Sequence, residues 1–290
     1  MDVLMTHYEQ RKTLEQSIES LEIQLSEDDT IYVVDGGSAD GSFHTLERLN
    51  QDDQIELVYR KDGISRGYGR QIAFEESDAD IIVAHADLDT VFYPALKQLE
   101  ETYRRLRSER GNGALLVHGC FVSDTSTIDS AGGWNDLQVH EDKDLWARID
   151  RRANLYRMPV SVIKRHDNFE WDSPVYRLKR VYQNYRDAIR LGIPSTALRQ
   201  SSKHHESVIS RVGSAPLVPI ANSRASDMET YGTFADSYPN PSEFHLRELT
   251  YPSLSAEGIL DHEEIQVPKH LAEYRSNEAY PGKTSYSFAG

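Results

Sequence analysis

Ile81-Ile82-Val83-Ala84-His85-Ala86-Asp87-Leu88-Asp89 is the stretch on which the fold turns. A short unbroken apolar run is too brief for a helix and suits a strand buried on both faces. It delivers two carboxylates, one residue apart, at its carboxyl end. Ile31-Tyr32-Val33-Val34 repeats the design and runs into Asp35-Gly36-Gly37-Ser38, a β-branched strand followed by a turn. Strands of this kind need covering helices. Leu14, Ile18, Leu21 and Leu25 recur at spacings of four, three and four, which marks one face of such a helix.

Outward from these segments, residues 2–6, 55–59 and 114–122 read as strands. Residues 42–50, 65–77 and 93–109 read as helices. The alternation predicts an α/β fold, a mainly parallel sheet flanked by helices. Ligands bind outside the carboxyl ends of the strands in such sheets, so Asp35 and Asp87 are expected to share a site. A helix at 141–152, a strand near 158–163 and a helix near 175–191 follow. From about 205 to 290, Pro, Ser, Tyr, Glu and His are scattered without period. The expected division is a domain over 1–200 and an irregular C-terminal extension over 201–290.

Hydrophobic residues make up 38% and charged residues 27%, values that suit a globular chain with a modest core. No apolar run has the ~18 residues of a membrane span, and the opening Met1–Thr6 lacks the basic stretch of a signal peptide. A cytoplasmic location is therefore expected, with peripheral association at a membrane surface compatible with it. The net charge of −15 repels nucleic acid, which is excluded as an expected partner. Arginine greatly outnumbers lysine, and an acid-rich, lysine-poor surface suits a halophilic source, where concentrated salt screens self-repulsion. Cys120, the single cysteine, lies in an apolar run and reads as a buried structural thiol.

Four segments carry chemistry. Asp87 and Asp89 can converge on one hard cation. Mg²⁺ or Mn²⁺ takes one or two carboxylates plus phosphate oxygens and water, although in so acidic a chain such a pair is often an ordinary solvated turn. Asp35-Gly36-Gly37-Ser38-Ala39-Asp40-Gly41-Ser42 combines an acceptor carboxylate with glycines that admit close backbone approach; it is also a good helix-starting turn. Arg66 and Arg70 share a helix face and suit a diphosphate or a surface ion pair. Gly132-Gly133-Trp134 precedes Glu141-Asp142, an acidic pair at a helix start. A carboxylate there stays ionised and can act as a general base, or simply complement the helix dipole.

In order and spacing, these segments resemble the family 2 glycosyltransferases of GT-A fold. Leu4-Met5-Thr6-His7-Tyr8-Glu9 is similar to the opening strand and "P-T-Y-N" turn, with His7 and Glu9 departing from it. Asp35-Gly36-Gly37-Ser38-Ala39-Asp40-Gly41 is similar to "D-D-G-S-x-D-G", with Gly36 in place of the second Asp. Arg70-Gln71 resembles the "A-R-N" helix, Asp87-Leu88-Asp89 the metal motif, and Glu141-Asp142 with Leu145 and Arg148 the "E-D-x-D-L-x-x-R" motif. The resemblance covers about residues 1–195. It implies a Rossmann-like sheet and an inverting transfer from a nucleotide-sugar donor to a glycan, lipid or protein-linked acceptor. Thr6, Tyr8 and Asp35 would hold base and ribose, and Arg70 would approach the diphosphate. Asp87 would position ribose or metal, Asp89 would ligate Mn²⁺ or Mg²⁺, and His166 would be a further metal ligand. Asp142 would deprotonate the acceptor. Two rivals are a nucleotidyltransferase, disfavoured because residues 6–12 hold no glycine, and a non-catalytic nucleotide-sugar-binding module.

Overall fold

A computed structural model describes residues 1–51, 55–86, 88–165, 174–202, 216–231 and 247–248. Strands β1 (Asp2–His7), β2 (Ile31–Asp35), β3 (Ile55–Arg60) and β4 (Ile81–Ala84) form the parallel half of the sheet. Helices α1 (Arg11–Glu22), α2 (Ser42–Leu49) and α3 (Arg66–Glu76) connect them. The strands read as solid apolar runs because both faces are covered. Val3, Met5, Ile31, Val33, Ile81 and Val83 pack to one side with Leu14, Ile18 and Leu21 of α1. Leu4, Tyr32, Val34, Ile82 and Ala84 pack to the other with Ala73 and Phe74 of α3. This is the period-two alternation of a pleated strand between two cores.

The single strand expected over 114–122 is instead a hairpin of β6 (Gly113–His118) and β7 (Cys120–Asp124). The chain reverses at Gly119, whose φ of +113° favours glycine and whose absent Cβ would lie 2.5 Å from Ile163. A two-residue reversal inside an apolar run leaves little compositional trace. Strand β7 runs antiparallel between β4 and β6, and the sheet continues through β8 (Asn154–Ser161) to β10 (Arg247–Glu248), in the order β10-β8-β6-β7-β4-β1-β2-β3. Most of its pairings are parallel, so the expected fold class holds.

Two short strands, β5 (Thr90–Phe92) and β9 (Ile163–Arg165), form a separate antiparallel ribbon. The next helix, α4 (Leu96–Arg110), consequently starts after residue 93. Helix α5 (Thr125–Ala131) was not expected; Asp124 caps it, accepting the Thr127 N–H at 2.8 Å. Helices α6 (Glu141–Asp150), α7 (Pro174–Arg190) and α8 (Ser195–Ser202) follow. Within the segment read as irregular, α9 (Leu217–Ala225) packs Val218 and Ala221 against Tyr185, Ala188 and Leu198 of α7 and α8. Arg190 ties the following residues down, donating to the Glu229 carbonyl at 2.9 Å and lying over the Tyr231 ring.

Candidate active site

The carboxyl ends of β1 and β2 are in register, with His7 opposite Asp35. Thr6 and the half-exposed Tyr8 line a cleft of about 960 Å³ that opens there. Asp35 lies beneath its wall with no exposed surface. Its carboxylate accepts the N–H groups of Gly37 and Ser38 at 3.0 and 2.9 Å and the Ser38 hydroxyl at 2.6 Å. Asp35 thus shapes the glycine turn from within. Gly37 and Gly36 then present bare backbone to the cleft, and Gly37 could carry no side chain because its Cβ would lie 2.4 Å from Asp62. Asp40 joins the loop to α1 by accepting the Arg11 N–H at 2.9 Å. His7 is buried with Nε2 4.0 Å from Asp35. Burial lowers its pKa against the opposing pull of Asp35 and Asp40, so it is neutral at pH 7.

Arg66 and Arg70, expected as a pair, are separated. Arg66 lines the cleft. Arg70 is 1% exposed and donates to Glu141 at 2.8 Å and to both Asp142 oxygens at 2.7 Å. Helix α3 reaches this position through its glycines. A Cβ on Gly67 would lie 2.0 Å from the Asn135 carbonyl, and one on Gly69 would lie 2.7 Å from Thr6. Gln71 completes the seam by accepting the Trp134 N–H at 2.7 Å.

Asp142 also accepts from the Trp134 indole at 3.1 Å and pairs with Nδ1 of His85. Burial alone would raise its pKa; Arg70 and then His85 instead hold the carboxyl well below the usual range. Glu141 goes the other way, raised by burial and by the neighbouring Asp142 charge. Two adjacent acids are thereby pushed apart, the pattern that separates proton donors from acceptors in catalytic sites. His85, at φ +60°, is the more open member, its side chain 37% exposed against 5% for Asp142. His85, Trp134 and Glu141 carried no assigned role in the sequence. The only sign was their presence inside the motifs that supplied Asp87 and Asp142.

The carboxylate turn after β4 is anchored from α1. The Leu88 carbonyl accepts hydroxyls from Thr13 at 2.6 Å and Ser17 at 2.9 Å. Asp89 follows, 6% exposed, directly before β5. Asp87 and His166 lie outside the described residues. Among the described residues, no three His, Cys, Asp or Glu side chains gather as a metal cage. A cation shared with phosphate oxygens needs fewer protein ligands than that, and the pinned Asp89 turn suits such a site.

Helix α7 supplies a wall that the motifs did not predict. Tyr176, Lys179, Arg180 and Gln183 all line the cleft.

Residues 2–132 match the family described as Glycosyl transferase family 2. The match takes in Asp35, Arg70 and Asp89 and ends before Glu141-Asp142. No curated protein matches the chain in sequence. Among solved structures, the mannosyltransferase PcManGT of Pyrobaculum calidifontis, in complex with GDP-Man and Mn²⁺, is 16% identical. The similarity covers 81% of this chain and 77% of that one, with a TM-score of 0.50. Staphylococcus aureus TarS 1-349 with UDP-GlcNAc is 10% identical over 82% and 75% of the two chains, with a TM-score of 0.45. The fold is accordingly of GT-A type.

Proposed function

We propose that this protein transfers a sugar from a nucleotide-sugar donor to an acceptor hydroxyl, with inversion and with the help of Mn²⁺ or Mg²⁺. The observation that carries the reading is that two groups of side chains stand at the carboxyl ends of the two strands flanking β1, Asp35 at the end of β2 and His85 just after β4. The Asp35-shaped glycine turn opens on a cleft, and the Arg70–Glu141–Asp142–His85 cluster draws together residues 57 to 72 positions apart.

Thr6 and Tyr8 hold the base and ribose against the backbone of Gly36 and Gly37, with Asp35 maintaining the turn that presents them. Arg66, rather than Arg70, faces the diphosphate, joined by Arg11 and Lys12 on the cleft lining. Asp89 and Asp87 would hold the cation, with His166 a further candidate ligand; the cation would offset the charge of the leaving diphosphate. Asp142 accepts the proton of the attacking hydroxyl, with His85 at its exposed edge and Arg70 as the positioning residue behind it. A hydroxyl deprotonated there attacks the anomeric carbon in line with the departing diphosphate, which inverts the centre.

Thermal shift and turnover against UDP-, GDP- and dTDP-sugars, with and without Mn²⁺, test this. One nucleotide class should stabilise the protein, more so with Mn²⁺. Asp89→Ala should remove the Mn²⁺-dependent part. Asp142→Asn should keep donor binding and lose about 10²–10⁴ in rate. Absence of binding and turnover across the whole panel would reject the enzyme, and binding without turnover would leave a non-catalytic module.

A further inference from the structure

We propose that the cleft-facing side of α7 is a subsite for a phosphate-bearing acceptor. This rests on the glycosyltransferase reading above and concerns the side of the cleft that the nucleotide leaves open.

Tyr176, Lys179, Arg180 and Gln183 are spaced by three, one and three residues. That spacing puts them on one helical face. The face offers an aromatic ring, two cations and an amide, a donor set suited to an anionic group with an organic body. It belongs to a different element from the nucleotide turn, which is built from the ends of β1 and β2 and the segment 62–66. The cleft volume of about 960 Å³ lies near the top of the ~300–1,000 Å³ range of small-molecule pockets, so there is room for a second ligand beside the donor.

Charge sharpens the choice of ligand. The molecule as a whole carries −15, yet the cleft is lined by the cations Arg11, Lys12, Arg66, Lys179 and Arg180. The lining carboxylates are Glu9, Asp40 and Asp62, and Asp40 is engaged by the Arg11 N–H and the Ser42 hydroxyl. Two of the nine lysines in the chain, Lys12 and Lys179, lie on this cleft. A neutral acceptor would draw no advantage from Lys179 and Arg180, whereas a phosphate would be drawn into a cationic mouth on an otherwise repelling surface.

The test uses the full chain with its nucleotide wall filled by whichever nucleoside diphosphate gives the largest thermal shift. Glycerol 3-phosphate and geranyl phosphate are titrated calorimetrically beside uncharged glycerol and geraniol. Both phosphates should bind at least ~10-fold more tightly than their uncharged forms, with the preference shrinking as salt rises. Lys179→Glu with Arg180→Glu should abolish the preference, and Lys179→Glu alone, on an exposed side chain, should reduce it several-fold. Lys97→Glu on α4 is the charge control and should leave it intact. Geranyl phosphate binding ~10-fold more tightly than glycerol 3-phosphate would identify a lipid-linked source; equal binding would identify the phosphate alone. Equal binding of charged and uncharged probes, or a preference untouched by the α7 variants, would overturn the subsite. Failure of donor turnover with the phosphate preference intact would strike the glycosyltransferase reading and leave the subsite standing.

Discussion

Arg70 is the residue whose environment departs most from what its position in the chain suggests. One guanidinium stands against Glu141 and Asp142, with almost no exposed surface. Removing one partner of such a buried set leaves like charges uncompensated, at a cost of about 3–5 kcal/mol. Arg70→Met should therefore lower Tm by several degrees. It should also move the acid limb of the pH–rate profile upward, because Asp142 loses the group that holds its carboxyl low. Arg70→Lys, which keeps the charge, should recover part of both effects. An unshifted acid limb in a folded Arg70→Met protein would show that Asp142 is not the proton acceptor. Asp142 itself was legible from its motif. Its dependence on Arg70 was not, because a contact across 72 residues has no periodicity to betray it.

Helix α6 begins on a residue that few helices use. His140 sits at φ +71° at the N-cap, half-buried, with Nε2 paired to Asn184 of α7. Burial, then the charges of Lys143 and Arg180, push its pKa down from 6.5 to about 3. The unfolded chain takes up a proton near pH 6.5 while the folded chain refuses it until about pH 3. More protons are then bound on unfolding throughout that window, and stability falls as pH drops across it, by at most ~1.4 kcal/mol per pH unit. His140→Asn, a residue that tolerates positive φ, should flatten the fall in Tm between pH 6.5 and 4.5. Parallel curves for the two proteins would refute the assignment. The helix was legible in the sequence, with the acidic pair Glu141-Asp142 at its start. That its first residue would be locked to α7 depended on packing between elements 44 residues apart.

Over the whole molecule, a net charge of −15 works against compaction. Because the Debye length falls from ~10 Å at 0.1 M to ~3 Å at 1 M salt, raising KCl from 0.05 to 1 M should lift Tm by at least ~3 °C, about 1 kcal/mol. A Tm that does not respond would remove the support for a halophilic source. No helix among the described residues is long and apolar enough to cross a membrane. Sequence by itself determined the sheet and its order of motifs, because runs such as Ile31–Val34 and Ile81–Ala84 can be satisfied only between two helical layers. It also placed Asp35 at a strand end, since strand termini are marked by local turn chemistry. Only the tertiary structure decided that the hairpin reverses at Gly119, that Arg70 serves Asp142 while Arg66 faces the cleft, and that α7 closes the far wall with Lys179 and Arg180. Each of these depends on which distant surfaces meet, and local composition constrains what a segment becomes far more than what it touches.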